Sequence, residues 1–163
     1  MRKSSAIVGT SVFFALAPGV IAGVVPWWMS RWRFLPGFMS LRIAGAVLIA
    51  VALPVLLNSF ARFALEGLGT PAPVLPPEHL VVTGLYRYVR NPMYVAVTSI
   101  ILGQALLFGN ASLAVYGAFV WLAFHLFVLL YEEPTLRRMF GSEYERFCAA
   151  VPRWVPRVTP WRG

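Results

Sequence analysis

Between Arg90 and Glu132 the chain carries no charged residue, and this run constrains the fold more than any other feature. A helix needs about 20 apolar residues to cross the hydrocarbon core of a bilayer, so the run is too long for one span and suits two. Gly109-Asn110-Ala111-Ser112 near its middle supplies residues that accept the backbone angles of a tight reversal. The expectation is a helical hairpin whose two ends return to one face of the membrane. Arg87, Arg90 and Asn91 stand just before it, and Glu132 and Glu133 just after it. The hairpin therefore carries guanidinium, amide and carboxylate groups from distant positions toward one place.

Two more uncharged runs, Ser4 to Ser30 and Ile43 to Ala61, read as earlier spans. The first is longer than the apolar core of a secretory signal, about 7–15 residues. Pro18-Gly19 marks a kink in it, and Trp27 and Trp28 mark an interfacial end. The second contains Pro54, and its Asn58 suits an interhelical hydrogen bond or a substrate contact. Arg31 to Met39 is a short interfacial turn between them. With 59% hydrophobic and 12% charged residues, against roughly 45–50% and 25% in globular chains, the protein needs lipid as its solvent. The fold class expected is all-α: a polytopic membrane protein of about four transmembrane helices with a C-terminal interfacial helix.

The chain divides by composition into a two-helix region over residues 1–65 and a second region over residues 66–163. The second opens with the Pro- and Gly-rich loop Glu66 to Glu78 and closes with an amphipathic helix over Thr135 to Val151. Pro152, Pro156 and Pro160 then end regular structure. Four spans place the N-terminus, the Arg62 to Arg90 loop and the C-terminal segment on one side, leaving only Arg31, Arg33 and Arg42 opposite. The bias of basic residues makes the first side cytoplasmic. The net charge of +8 thus sets orientation and meets membrane lipid, and no nucleic acid partner is expected. One cysteine, Cys148, excludes an internal disulfide and any multi-cysteine zinc site, and no metal is expected.

G-L-Y-R-Y-V-R-N-P-M-Y at Gly84 to Tyr94 resembles the R-H-P-x-Y signature of the isoprenylcysteine carboxyl methyltransferase family, a pattern shared by phospholipid methyltransferases. E-E-P-T-L at Glu132 to Leu136, F-G-S-E-Y at Phe140 to Tyr144 and V-P-R-W-V-P at Val151 to Pro156 resemble its acidic motif and tail. The resemblance implies S-adenosylmethionine as cofactor and a lipophilic or lipidated acceptor entering from the bilayer. It implies catalytic roles for Arg90, Asn91 and Tyr94, and a cofactor site drawn from Tyr86, Arg87, Tyr88, Arg90, Pro92, His125, Glu132 and Glu133.

Those residue types suit the chemistry. Methyl transfer is an in-line displacement that asks for orientation and exclusion of water. Guanidinium groups at Arg87 and Arg90 match a cofactor carboxylate with paired hydrogen bonds, and Glu132 or Glu133 suits an ammonium or ribose hydroxyls. Two adjacent carboxylates repel unless a cation compensates them, and Arg87, Arg90 or a ligand is expected to do so. Asn91 stands where the family signature has histidine, and an amide keeps a hydrogen bond but cannot titrate. His125 lies seven positions before Glu132, near the same helix face; it either serves the site or is satisfied by a backbone carbonyl or Gln104. His79 is expected to be a solvated loop residue. Two other function classes stay open: a membrane reductase using a nicotinamide cofactor, and a non-catalytic membrane partner whose polar clusters serve as anchors.

Overall fold

The computed structural model describes residue 12, residues 16–62 and residues 79–162. The Glu66 to Glu78 loop, the start of the first span and the boundary between the two regions lie outside the described residues. All regular structure among the described residues is helical. Four apolar helices form a polytopic membrane bundle: α1 over Leu16–Ser30, α2 over Met39–Arg62, α3 over Pro92–Phe108 and α4 over Ala111–Phe140. Helix α5, Ser142–Ala150, follows α4. By length and composition α2 and α4 can each cross a membrane, while α1 and α3 are shorter. The most apolar stretches of α2 and α4 are only 17% and 22% buried in the bundle. A core helix of a soluble protein would be mostly covered, so these faces belong to lipid.

The expected hairpin is present. Pro92, whose fixed φ suits the first helical turn, starts α3. Gly109, at φ 67°, ends it in the left-handed region, and Asn110 caps α4 by accepting from the Ser112 amide at 3.0 Å. Helices α2 and α3 touch through glycines. A Cβ on Gly45 would lie 2.5 Å from the Gly103 carbonyl oxygen, and one on Gly103 would lie 2.6 Å from Ile49 Cγ1. Backbones this close gain the dispersion contact that drives helix association in lipid. Beyond that crossing, Ala52, Leu56 and Phe60 of α2 pack with Ala96, Val97, Ile100 and Ile101 of α3, and Ala22 of α1 joins the same cluster.

Prolines shape both long breaks in helical regularity. The turns Val20–Val24 and Val128–Glu132 are π-helical, and each ends two residues before a proline, Pro26 and Pro134. A proline lacks the amide that would bond four residues back and its ring crowds that carbonyl, so the turn opens. In α1 this leaves the Ile21 and Ala22 carbonyls without backbone donors. Tyr116 Oη of α4 donates to the first at 2.9 Å and Gln104 Nε2 of α3 to the second at 2.7 Å. The orphaned carbonyls thus fasten α1 to the hairpin.

Two local expectations change, while α4 runs on through Pro134 to Phe140. The single amphipathic helix over Thr135 to Val151 is instead two segments, because Gly141 at φ 51° and ψ −124° turns the chain between Phe140 and Ser142. Asn58 is exposed and makes no interhelical hydrogen bond among the described residues; its Oδ1 lies beside Gly84. His79 is exposed, as expected of a loop.

Candidate active site

The site is assembled where the start of α3, the π turn of α4 and the C-terminal tail meet. Thr83 is extended, and a 3-10 turn over Gly84–Arg87 then leads through Tyr88 to Asn91 and the first turn of α3. The turn buries the Tyr86 ring, and the helix start buries Pro92. Across the hairpin, the widened turn Val128–Glu132 presents Glu132 and Glu133 at its end. Tyr94 Oη donates to Glu132 Oε2 at 2.8 Å, and Arg90 Nη1 donates to Glu133 Oε1 at 3.1 Å. The Tyr94 ring packs on Phe124 of α4 with centroids 4.6 Å apart. Two residues of the first motif therefore hold two residues of the second.

The two carboxylates have different surroundings. Glu133, with its side chain 4% exposed, takes Arg90, then Arg153 through Nε at 2.6 Å and Nη2 at 3.1 Å, with Arg137 Nη2 at 3.9 Å. The paired bonds raise the Arg153 guanidinium above its ordinary value. Glu132 takes only the Tyr94 hydroxyl and joins none of the ion pairs among the described residues. Burial pushes the Tyr86 hydroxyl well up, and the Glu132 carboxylate adds to that shift, so it stays protonated as a donor.

The tail closes the site from below. Arg90 N donates to Pro152 O, Arg157 N to Tyr88 O and Trp161 N to Arg87 O, each at 2.9 Å. Asn91 Nδ2 adds a bond to Arg153 O at 3.2 Å. The tail thus runs antiparallel to the motif, with Pro156 and Pro160 in the gaps between bonds. Arg90 Nη1 also approaches Cys148 Sγ at 2.8 Å. Tyr144, Phe147 and Val151 form the apolar floor, with Trp161 against it.

Tyr86, Arg90, Tyr94, Glu132 and Glu133 are brought together. Arg87 is not among the cations on the carboxylates; its Nε donates to Trp161 O, because the 3-10 turn directs it to the tail. Tyr88 is half-buried, with its carbonyl taken by Arg157. His125 Nδ1 accepts from the Trp154 indole at 3.1 Å and its ring stacks on Trp121 at 5.1 Å. Its partner is the tail rather than a carbonyl or Gln104, whose Oε1 takes the Trp32 indole. Arg153 is the residue that sequence reasoning missed. An acid-free tail with an arginine between prolines, set against paired carboxylates, is the signal that points to it.

Three buried side-chain atoms near this arrangement have no hydrogen-bond partner among the described residues: Tyr86 Oη, Arg90 Nε and Thr98 Oγ1, one helical turn beyond Tyr94. Orphaned donors beside an unpaired carboxylate are costly unless something completes them. The set offers one anionic acceptor and several donors. An amino-acid group with ammonium, carboxylate and nearby hydroxyls is complementary to it.

Comparison with known proteins gives the same direction. The sequence profile described as phospholipid methyltransferase matches residues 41–143. The chain is 36% identical over 83 residues to a protein-S-isoprenylcysteine O-methyltransferase of Schizosaccharomyces pombe, covering 50% of this chain and 35% of that one. It is 27% identical over 134 residues to protein-S-isoprenylcysteine O-methyltransferase B of Arabidopsis thaliana, covering 81% and 61%. The chain therefore spans less than two thirds of the length of either relative, and no solved structure matches it. The matched profile takes in both motifs and the hairpin between them, and the chain belongs to the phospholipid methyltransferase family.

Proposed function

We propose that the protein is a membrane-embedded methyltransferase that uses S-adenosylmethionine and a lipophilic acceptor, either a carboxylate of the isoprenylcysteine kind or a phospholipid amine. The observation that carries this reading is the closure of the two motifs across the hairpin, Tyr94 on Glu132 and Arg90 on Glu133. Bound there, the cofactor supplies an electrophilic methyl group on a sulfonium. Glu132 would hold its ammonium or ribose hydroxyls, with Tyr86 Oη and Arg90 Nε as the donors to its carboxylate and hydroxyl oxygens. Glu133 acts one step back: clamped by Arg90 and Arg153, it fixes the guanidinium that faces the cofactor. Asn91 bonds the tail and has no proton to exchange near neutral pH. Orientation and exclusion of water, rather than proton transfer at Asn91, are what these residues contribute.

The acceptor reaches the site from lipid, since α2 and α4 present apolar faces outward. The site side is cytoplasmic in this reading, because Arg137, Arg138, Arg146, Arg153, Arg157 and Arg162 gather there while Arg31, Arg33 and Arg42 lie at the other end of α2.

The test is reconstitution in nanodiscs with labelled S-adenosylmethionine, offering farnesylcysteine or phosphatidylethanolamine as acceptor. Label transfer to one of them, abolished in Arg90→Ala, is expected. A protein stabilised by NADPH but not by S-adenosylmethionine would sink the proposal, since a ligand of the folded state raises its melting temperature.

A further inference from the structure

The tail has two faces, and the site uses only one. Its inner face is bonded to residues 87–91 through the Arg157 and Trp161 amides. Its outer face leaves Val155 73% exposed and Val158 96% exposed. Arg162, in the same tail, is exposed and has no hydrogen bond or ion pair among the described residues. No acidic residue follows Glu145 in the sequence. Trp154 anchors this segment to His125 on α4, next to the exposed Leu122 and Leu126 of the lipid-facing surface. Exposed valines followed by an exposed arginine, at the edge of a lipid-facing helix, match a headgroup layer in both polarity and charge.

We propose that the outer face of residues 152–162 docks on the headgroup layer of an anionic bilayer, with Val155 and Val158 inserted at its boundary and Arg162 on lipid phosphates. Docking holds the tail against the motif, so bilayer charge sets how tightly Arg153 is kept on Glu133. The inference rests on the membrane location of the protein and not on methyl transfer.

Hydrogen exchange of the intact protein tests it without any cofactor present. In phosphatidylcholine nanodiscs the Arg157 and Trp161 amides exchange at a reference rate. Adding phosphatidylglycerol is expected to slow them about fivefold, the strength with which one basic residue is held at an anionic surface. The double variant V158D/R162E, altered only on the exposed face, is expected to lose that slowing while α3 amides keep their protection. An anionic surface also lowers local pH and slows exchange in both proteins alike, so docking is read as the slowing of wild type beyond that of the variant. Equal rates in the two lipids, or a slowing in the variant equal to that of wild type, would overturn the proposal.

Discussion

Arg153 meets Glu133 with two parallel hydrogen bonds, Nε to Oε1 at 2.6 Å and Nη2 to Oε2 at 3.1 Å. The same carboxylate holds Arg90, so one buried anion ties the first motif to the tail. Replacing it leaves a guanidinium with 11% of its side chain exposed and no countercharge. Glu133→Gln is therefore expected to cost about 3 kcal/mol, at the low end for breaking a buried pair because the partly exposed Arg153 can rehydrate. Thermal unfolding in detergent measures this loss, and a melting temperature equal to wild type would refute it.

Glu132 predicts the opposite pattern. A glutamine there still accepts from Tyr94 through its amide oxygen, so the stability of Glu132→Gln should stay within about 1 kcal/mol of wild type. A charge-assisted bond to a ligand is worth about 1.5–3 kcal/mol, so S-adenosylmethionine affinity should fall roughly 10–100-fold. Calorimetric titration of both variants separates a positioning carboxylate from a ligand-holding one. Unchanged affinity in Glu132→Gln would remove Glu132 from the site.

The difference between these carboxylates was not legible in the sequence, where Glu132 and Glu133 are neighbours of one type. The hairpin was legible because its signals are local: an uncharged run, Pro92 at one helix start and Gly109-Asn110 at the turn. The meeting of Arg90 with the paired carboxylates followed from that hairpin, from the countercharge that adjacent carboxylates require, and from the resemblance carried by the two motifs. Arg87, Arg153 and His125 depend on where an irregular tail crosses back, and no periodicity encodes a segment held by single backbone bonds between prolines. The π turns were hidden for a related reason, since a proline announces a lost donor but not which distant side chain replaces it.

Asn91 adds one side-chain bond to the crossing. Its Nδ2 donates to Arg153 O at 3.2 Å, next to the guanidinium that clamps Glu133. Asn91→Ala removes one such bond, about 1 kcal/mol. Asn91→Asp does more, because a carboxylate cannot donate and faces a carbonyl oxygen. Limited trypsin digestion should cut after Arg153 and Arg157 faster in both variants, and fastest in Asn91→Asp. Equal cleavage in all three proteins would show that the tail is held without it.

Far from the site, Gln104 and Tyr116 stabilise the bundle by completing carbonyls that Pro26 strands. Gln104 Nε2 donates to Ala22 O and its Oε1 accepts from the Trp32 indole, whereas Tyr116 gives one bond to Ile21 O. Gln104 is 6% exposed, and lipid offers no water to replace what it supplies. Gln104→Leu should therefore cost about 1–3 kcal/mol, the range for a buried polar group left unsatisfied. Tyr116→Phe removes a single bond and should cost less, near the ~0.6 kcal/mol typical of interhelical bonds in membranes. If α1 is fastened in this way, a Pro26→Ala replacement restores backbone donors and makes Gln104→Leu milder in the double variant. Unfolding of the four proteins in mixed micelles gives that coupling directly. Additive losses would mean that Gln104 and Pro26 act independently, and the account of α1 as a helix held through its proline-freed carbonyls would fail.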